Sequence, residues 1–170
     1  RTDMLYSLKE KLSVISECVL NIRVGGNDLC NVFGFRRPVD RTIYDILPIA
    51  SILSDIITVF APDYVVSAPV WEYYDGTDWR NGLTAEAKKD LLNGFIGKTI
   101  IHPNQIPVLH EQYQVSKTDY EDALSILNWT NYKDSLVCGN ISKERMNEKN
   151  THATWANKIR IQAEIYGIKE

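Results

Sequence analysis

The feature that most constrains the fold of this chain is a strand-like run that leads directly into two glycines and a carboxylate. Apolar and polar residues alternate over residues 19–24, which predicts a strand with two chemically different faces. Gly25 and Gly26 then allow the backbone to turn sharply and to approach a ligand closely. Asp28 therefore follows the carboxyl end of a strand, where barrels of alternating strands and helices keep their functional groups. The alternative is that Asp28, or Asn27 before it, only caps the short helix that follows.

Helical and strand-like segments alternate along the chain. The strand-like runs are residues 19–24, 64–70 and 98–101. Apolar residues at helical spacing, together with capping residues, predict helices over residues 2–16, 29–33, 46–60, 84–93, 104–113, 118–129 and 151–166. A capping box of Thr118 and Glu121 is expected to begin the helix over residues 118–129, and residues 133–150 are expected to be irregular. This order of elements predicts an α/β fold with parallel βα units.

Composition and charge argue against two classes of partner. The 170-residue chain has 22 acidic and 19 basic residues and a net charge of −3, so it lacks the basic surface that nucleic-acid binding requires. Its most apolar stretch, residues 43–60, is interrupted by charged, hydroxyl and proline residues, which argues against a membrane span. Cys18, Cys30 and Cys138 are spaced for neither a metal site nor a redox pair, which indicates free thiols in a cytoplasmic protein.

Two further motifs carry a family resemblance. Residues 94–106 read Gly-Phe-Ile-Gly-Lys-Thr-Ile-Ile-His-Pro-Asn-Gln-Ile. They resemble the closing strand of the HpcH/HpaI aldolase and citrate lyase β-subunit superfamily, whose signature there is Gly-x-x-Gly-Lys-x-x-x-His-Pro-x-Gln-Ile. The Gly-x-x-Asp-Leu motif of that superfamily, two strands earlier, matches residues 25–29. The tail resembles the predicted carbon–carbon bond lyases of TIM-barrel fold associated with tellurium-resistance operons, through Arg-Met-Asn-Glu at 145–148, Thr-His at 151–152 and Trp-Ala at 155–156.

The resemblance implies a fold and a domain organisation. The superfamily has a TIM (β/α)8 barrel, and the three predicted strands would be about the last three of its eight. Residues 1–115 would then be the C-terminal part of the barrel, and residues 116–170 a helical C-terminal extension that contacts another subunit. Because a whole barrel takes about 250 residues, we expect the missing N-terminal part of the same protein to be a separate segment. Relatives form trimers or hexamers, so a homo-oligomer is expected, with residues 131–148 crossing to a neighbour.

The resemblance also implies an activity. A carbon–carbon bond lyase or aldolase that depends on Mg²⁺, or on Mn²⁺, would act on a small keto acid, carboxylate or acyl-CoA-like thioester through a metal-stabilised enolate. Asp28 matches the Asp that binds the metal in this family, and a Glu ligand would come from the strand before Arg1. Gly25, Gly26 and Asn27 are expected to present backbone or amide groups to the substrate.

Arg23, His102 and the residues after the second strand complete the predicted site. Alternation directs Arg23 toward the barrel lumen, where its guanidinium would bind a substrate carboxylate or phosphate, or would form a structural ion pair. His102, at the end of the third strand, would act as a general acid or base, or would shape the last loop with the proline that follows it. Ala68 and Pro69 are predicted to line the substrate site. The citrate lyase pattern has an acidic residue followed by Gly there, and its absence disfavours a coenzyme A thioester.

The alternatives belong to different classes of protein. The main one is a non-catalytic barrel homologue that serves as a binding or assembly module, because a fold alone does not determine an activity. It would lack a substrate-binding Arg and a metal-binding Glu in the missing part. Another is a phosphate-binding barrel of a different reaction class. Three arginines after the metal motif would meet the phosphates of coenzyme A or would be solvated, namely Arg36, Arg37 and Arg41.

Overall fold

The computed structural model describes residues 1–129 and 135–169, which belong to two compact units. The first unit is Arg1–Gln112 and the second is Tyr113–Glu170. Helices and short strands occur in both, so the chain is an α/β protein. Within these residues no helix combines the length and the apolar character needed to cross a bilayer. All three cysteines are free thiols, and one of them, Cys30, is buried.

The first unit contains five helices and two short strands among the described residues. The helices are α1 (Thr2–Ser13), α2 (Gly26–Val32), α3 (Leu47–Phe60), α4 (Trp79–Leu92) and α5 (Gln105–Tyr113). The strands are β1 (Ile22–Arg23) and β2 (Val66–Ser67), and single turns of 3-10 helix lie at Ser16–Cys18 and Ile43–Asp45.

The strands of the first unit are parallel and follow chain order. In the pairing of β1 with β2, Ile22 lies opposite Val66 and Arg23 lies opposite Ser67. A third segment continues this arrangement through a parallel bridge between Ala68 and Lys98. Three successive parallel segments joined by helices are the arrangement expected of βα units.

The third segment is shorter than the strand predicted over residues 98–101. The backbone N–H of Thr99 still donates to the carbonyl of Ala68 at 3.2 Å. Two residues later, the N–H of Ile101 donates instead to the side chain of Gln105 at 3.2 Å. The chain therefore leaves the sheet before Ile101 and turns toward α5.

The helix-facing side of the sheet belongs to the core of the first unit. Ile22 and Val24 lie in one apolar cluster with the buried face of α3, as their alternation predicts. Leu20 does not join them, because β1 begins only at Ile22 and leaves the Leu20 side chain 90% exposed. The other buried members of this cluster are Cys30, Ile43, Ile49, Leu53, Val59, Phe60, Val66, Ala68 and Phe95.

The second unit consists of two packed helices and two pairs of short strands. α6 (Lys117–Leu127) and α7 (Ala153–Tyr166) share an apolar cluster. β3 (Val115–Ser116) pairs in parallel with β6 (Ile168–Lys169), and β4 (Val137–Gly139) pairs antiparallel with β5 (Met146–Glu148). The β4–β5 hairpin corrects the prediction that residues 133–150 are irregular. Its connection is stabilised by Asn140, whose side-chain oxygen accepts from the backbone N–H groups of Glu144 and Arg145.

The start of α6 also differs from the prediction. The hydroxyl of Ser116 accepts a hydrogen bond from the backbone N–H of Asp119 at 3.1 Å, so Ser116 is the cap. The expected capping box of Thr118 and Glu121 lies inside the helix and is wrong. At the other end of the unit, Gly167 adopts a φ of 84° and ends α7 where the sequence predicts.

A capping arrangement before α3 contributes to stability in a pH-dependent way. Asp45 accepts hydrogen bonds from the backbone and the hydroxyl of Thr42, at 2.7 and 2.9 Å, and pairs with Lys89 at 3.0 Å. The backbone hydrogen bond from Thr42 is the main reason that the pKa of Asp45 falls from 3.8 to about 2, with Lys89 next. Because the pKa is lower in the folded state, this stabilisation is present above pH 3.8 and is lost as the pH falls toward 2.

Asp45→Asn is therefore expected to lower the urea midpoint of unfolding near neutral pH, since the amide cannot carry the charge that Lys89 and Thr42 favour. The deficit relative to wild type should shrink as the pH falls through the window between 3.8 and about 2. Asp40→Asn is the control, because that carboxylate is exposed and 3.7 Å from its neighbour Arg41. A deficit for Asp45→Asn that stays constant with pH would contradict this account.

Candidate active site

The carboxyl ends of the parallel segments lie at one edge of the sheet, and the predicted site residues of the first unit lie at or after these ends. The loop after β1 lies directly on the loop after β2. A Cβ placed on Gly26 would be 2.5 Å from the Cβ of Pro69 and 2.9 Å from the Cδ1 of Ile43. Only glycine permits so close an approach without displacing its neighbours. Gly26 is therefore used for packing between the two loops, and it is buried.

Asp28 lies in the first turn of α2 with an exposed carboxylate. Its Oδ2 occupies the space above Gly25, where an added Cβ would be only 2.4 Å away. In residues 1–129 and 135–169 this carboxylate makes no hydrogen bond or ion pair. The alternative that Asn27 or Asp28 caps the helix is wrong. The residue at the cap position is Gly25, and no side chain forms a cap hydrogen bond.

A divalent cation fits Asp28 as one ligand among several. Mg²⁺ takes one or two carboxylates, several waters and oxygens of the substrate. In the part of the chain that the structure describes, no group of three or more His, Cys, Asp or Glu side chains is placed to hold a metal ion. Asp28 thus offers a suitable carboxylate, and a complete coordination shell needs oxygens from water, from substrate or from elsewhere in the protein.

Arg23 lies on the opposite side of β1 from Ile22 and Val24, which belong to the core cluster. Its Nε donates to the hydroxyl of Thr99, on the third segment, at 3.3 Å. Two residues before Arg23, the side-chain amide of Asn21 donates to the hydroxyl of Ser67, the β2 partner of Arg23, at 3.2 Å. These contacts form a row of polar side chains on the side of the sheet away from the core.

Ser67 and Thr99 were not among the residues predicted for the site. Each is a hydroxyl residue within a predicted strand-like run, and that position was the available signal. Which strand each hydroxyl would face depends on register, and one sequence does not supply it. Arg23 was predicted to point away from the helices, and its contact with Thr99 agrees with that direction. Its role with a substrate stays a prediction.

The signature lysine is a buried structural residue. The side chain of Lys98 is fully buried, and its Nζ lies 2.8 Å from a carboxylate oxygen of Glu86 and 2.8 Å from one of Asp90, both on α4. Tyr44 donates to the other oxygen of Asp90 at 2.6 Å. Burial raises the pKa of Asp90 and the charge of Lys98 opposes this rise. Lys98 therefore fastens the third segment of the sheet to α4.

Arg37 completes this network from the other side of Glu86. Its Nη1 donates to both oxygens of Glu86, at 2.9 and 2.8 Å, and its Nη2 donates to the carbonyl of Val70 at 2.7 Å. Glu86 also accepts from the backbone N–H of Ile43 at 2.7 Å. Arg37 is buried, so the prediction of a solvated or phosphate-binding loop is wrong for this arginine. Arg36 and Arg41 are exposed, as expected.

His102 and the residues after it connect the third segment to the loop after β2. The His102 ring stacks on Tyr74, with ring centroids 4.2 Å apart, and its Nδ1 accepts from the backbone N–H of Asn104 at 3.2 Å. The buried Gln105 side chain donates to the carbonyls of Trp71 and Tyr73, at 2.8 and 3.0 Å. These contacts match the loop-shaping alternative for His102. Acid–base catalysis by His102 stays a prediction.

Ala68 and Pro69, which were predicted to line the substrate site, are both buried. The backbone N–H of Ala68 donates to Gly97 at 2.8 Å, and its carbonyl accepts from Thr99. Pro69 packs against Gly26, as described above. Ala68 thus holds the neighbouring segments together, and contact of either residue with a substrate stays a prediction.

The tail motif is organised around Arg145 in the second unit. The Arg145 guanidinium contacts Asp122 through Nε at 2.5 Å and Asp119 through Nη2 at 2.7 Å, and it lies 5.5 Å from the ring centre of Trp155. The hydrogen bonds that Arg145 donates to the two carboxylates raise its pKa, the one to Asp119 most. The motif residues therefore connect β5, α6 and α7. Part of the segment predicted to cross to a neighbour, residues 131–134, lies outside the described residues, and the crossing stays a prediction.

These features define an α/β protein whose polar groups collect at the carboxyl ends of parallel strands. The chain belongs to the family of carbon–carbon bond lyases of the TIM-barrel fold, which it matches over residues 1–168. This confirms the resemblance that the motifs indicated. No curated protein matches the chain.

Among solved structures, the chain is similar to CitE from Mycobacterium tuberculosis, whose structure was determined in complex with magnesium, acetoacetate and coenzyme A. The TM-score is 0.62 and the sequence identity is 22%, so the similarity concerns the fold. The alignment covers 85% of this chain and 52% of CitE, so the chain spans about half the length of that protein.

Proposed function

We propose that this protein is a carbon–carbon bond lyase of the citrate lyase β-subunit type that depends on a divalent metal, Mg²⁺ or Mn²⁺. The observation that carries the proposal is the Asp28 carboxylate, which is exposed at the carboxyl end of β1 and has no partner within the described residues. Family membership supports the reaction class, and the magnesium in the CitE structure supports the choice of metal.

In this proposal Asp28 holds the cation together with ligands from outside the described residues. When bound, the cation would stabilise the negative charge that develops on a carbonyl oxygen as the carbon–carbon bond breaks or forms. Gly25, Gly26 and Asn27 shape the loop that carries Asp28. Arg23 binds an anionic group of the substrate through its guanidinium. His102 holds the loop after the third segment, or exchanges a proton with the substrate.

The substrate class follows from the same groups. A small keto acid or carboxylate has a carbonyl oxygen for the metal and a carboxylate for Arg23. An acyl-CoA-like thioester is a second candidate substrate, by analogy with the acetoacetate and coenzyme A bound to CitE. We further propose that the parallel segments of residues 1–115 are about the last three strands of a (β/α)8 barrel, because their order and their signature residues fit that position.

The test is a calorimetric titration of the full-length protein with Mn²⁺ and with Mg²⁺, in the presence of oxalate or pyruvate. Wild type should bind the metal with a defined stoichiometry. Asp28→Asn should lose that binding, because an amide replaces the charged ligand and hard cations prefer carboxylate oxygen. Asp40→Asn should bind like wild type, since its carboxylate lies in the next loop and pairs with Arg41. Equal binding by Asp28→Asn and wild type would overturn the proposal and would favour the binding or assembly module.

A further inference from the structure

We propose that Thr99 is a positioning residue for the substrate-binding arginine, and that the anion it prepares Arg23 to bind is the carboxylate of a small keto acid. This inference rests on the proposed function, because it names the substrate group that Arg23 receives in that site. Its foundation is the hydrogen bond from Arg23 Nε to the Thr99 hydroxyl across the sheet.

The backbone of Thr99 is held in the sheet. Its N–H donates to the carbonyl of Ala68, which fixes the residue in the parallel arrangement. Lys98, its neighbour, is fixed on the opposite side of the segment by the fully buried contacts with Glu86 and Asp90. Because successive side chains of an extended chain point to opposite sides, these contacts direct the Thr99 hydroxyl away from α4. The hydroxyl therefore has a defined position before any ligand binds.

The side chain of Arg23 reaches across β2 to the third segment. Its partner in the β1–β2 pairing is Ser67, whose hydroxyl already accepts from Asn21. Arg23 extends past Ser67 and reaches the third segment at Thr99. Arg23 thus lies along the sheet edge and does not point freely into solvent.

Most N–H donors of the Arg23 guanidinium remain available to a ligand. A guanidinium has five N–H groups, and the Thr99 hydroxyl engages only the one on Nε. Among residues 1–129 and 135–169 Arg23 forms no ion pair, so Nη1 and Nη2 are available to a ligand. Two parallel donors match the two oxygens of a carboxylate. The Arg23–Thr99 distance of 3.3 Å is at the long end for a hydrogen bond, and such contacts tighten when a ligand binds.

The test uses pyruvate as the probe and the NMR signals of Arg23 as the readout. The protein is labelled with ¹³C,¹⁵N-arginine, and the Arg23 signal is assigned by its disappearance in Arg23→Lys. Pyruvate should shift the Cζ and Nε signals of Arg23 in a saturable way. Thr99→Val keeps the shape of the side chain and removes the hydroxyl, so pyruvate should bind about tenfold more weakly. Thr99→Ser restores the hydroxyl and should return the affinity to within about twofold of wild type.

Thr58→Val is the matched control, because Thr58 donates only to the carbonyl of Ser54 on an exposed face of α3. It should bind pyruvate like wild type. A structural defect in Thr99→Val would lower the unfolding midpoint, whereas a positioning role changes the pyruvate affinity at an unchanged midpoint. A pyruvate affinity in Thr99→Val equal to that of wild type, or an Arg23 NMR signal that does not shift with pyruvate, would overturn the inference.

The parallel Mn²⁺ titration separates this inference from the proposed function. Mn²⁺ that binds through Asp28 while pyruvate leaves the Arg23 signal unchanged would preserve the metal-dependent lyase and reject the role of Thr99. Pyruvate binding that depends on Thr99, without any metal binding at Asp28, would support the role of Thr99 and reject the metal-dependent lyase.

Discussion

Replacing Lys98 by Met is expected to lower the free energy of unfolding by about 3–5 kcal/mol, because it leaves two buried carboxylates without their shared cation. The Lys98 side chain and those of Glu86 and Asp90 have no exposed area, so water cannot compensate for the lost ion pairs. Urea denaturation near neutral pH measures the loss. Lys88→Met is the control, because Lys88 lies on α4, the helix that carries Glu86 and Asp90, and is exposed. Its effect should stay below about 0.5 kcal/mol.

Acidification and a second substitution test the cause. Burial raises the pKa of Asp90 above 3.8, so this carboxyl takes up a proton more readily in the folded state than in the unfolded state. Without Lys98 this preference grows, and the deficit should shrink as the pH falls and Asp90 takes up a proton. Lys98→Met combined with Asp90→Asn should likewise recover part of the lost stability. A deficit below about 1 kcal/mol in Lys98→Met would show that the network contributes little.

Gly26→Ala is the second substitution with a large expected effect. The new Cβ would meet the Cβ of Pro69 at 2.5 Å and the Cδ1 of Ile43 at 2.9 Å, so one of the two loops must move. Overpacking of this kind costs about 1–3 kcal/mol, which thermal and urea unfolding would detect. The same movement displaces the loop that carries Asp28. We therefore expect weaker Mn²⁺ binding to accompany the loss of stability.

Gly139→Ala is the control for this substitution. No atom lies within 4 Å of a Cβ built on Gly139, so the added methyl group has space. Its unfolding midpoint should stay close to that of wild type. An unchanged midpoint and unchanged Mn²⁺ binding in Gly26→Ala would show that the two loops are not held together at this contact.

The elements that the sequence predicts well are those whose signal is local. Alternation placed Ile22 and Val24 on the core side of β1, and helical spacing located α3 to within one residue at its start, at Leu47. The start of α4 was missed by five residues. Gly82 lies before the helix predicted over residues 84–93, but the structure places it inside α4, where a Cβ would be 2.3 Å from the carbonyl of Val39. A glycine is needed at this position because α4 packs closely against the backbone of Val39, and only the tertiary structure reveals this contact.

In the candidate site, too, the local motifs could be predicted from the sequence and the long-range contacts could not. The motif around Asp28 and the signature around Lys98 were recognisable because they are continuous in sequence. The contacts that give these residues their surroundings join positions 49 residues apart for Arg37 and Glu86 and 76 residues apart for Arg23 and Thr99. Such pairs depend on strand register and helix packing, so one sequence does not predict them. Arg37 is an example, because it is buried although its neighbours in sequence are exposed.

The burial of the network that fastens α4 to the sheet also determines how the protein responds to ionic strength. The four charged groups, Arg37, Lys98, Glu86 and Asp90, balance each other two against two and are excluded from solvent. Mobile ions screen exposed charges effectively and buried ones much less. Added salt should weaken exposed pairs such as Arg160 with Glu164. The buried ion pairs that attach α4 to the sheet should be screened much less, so their contribution to stability should change little with salt concentration.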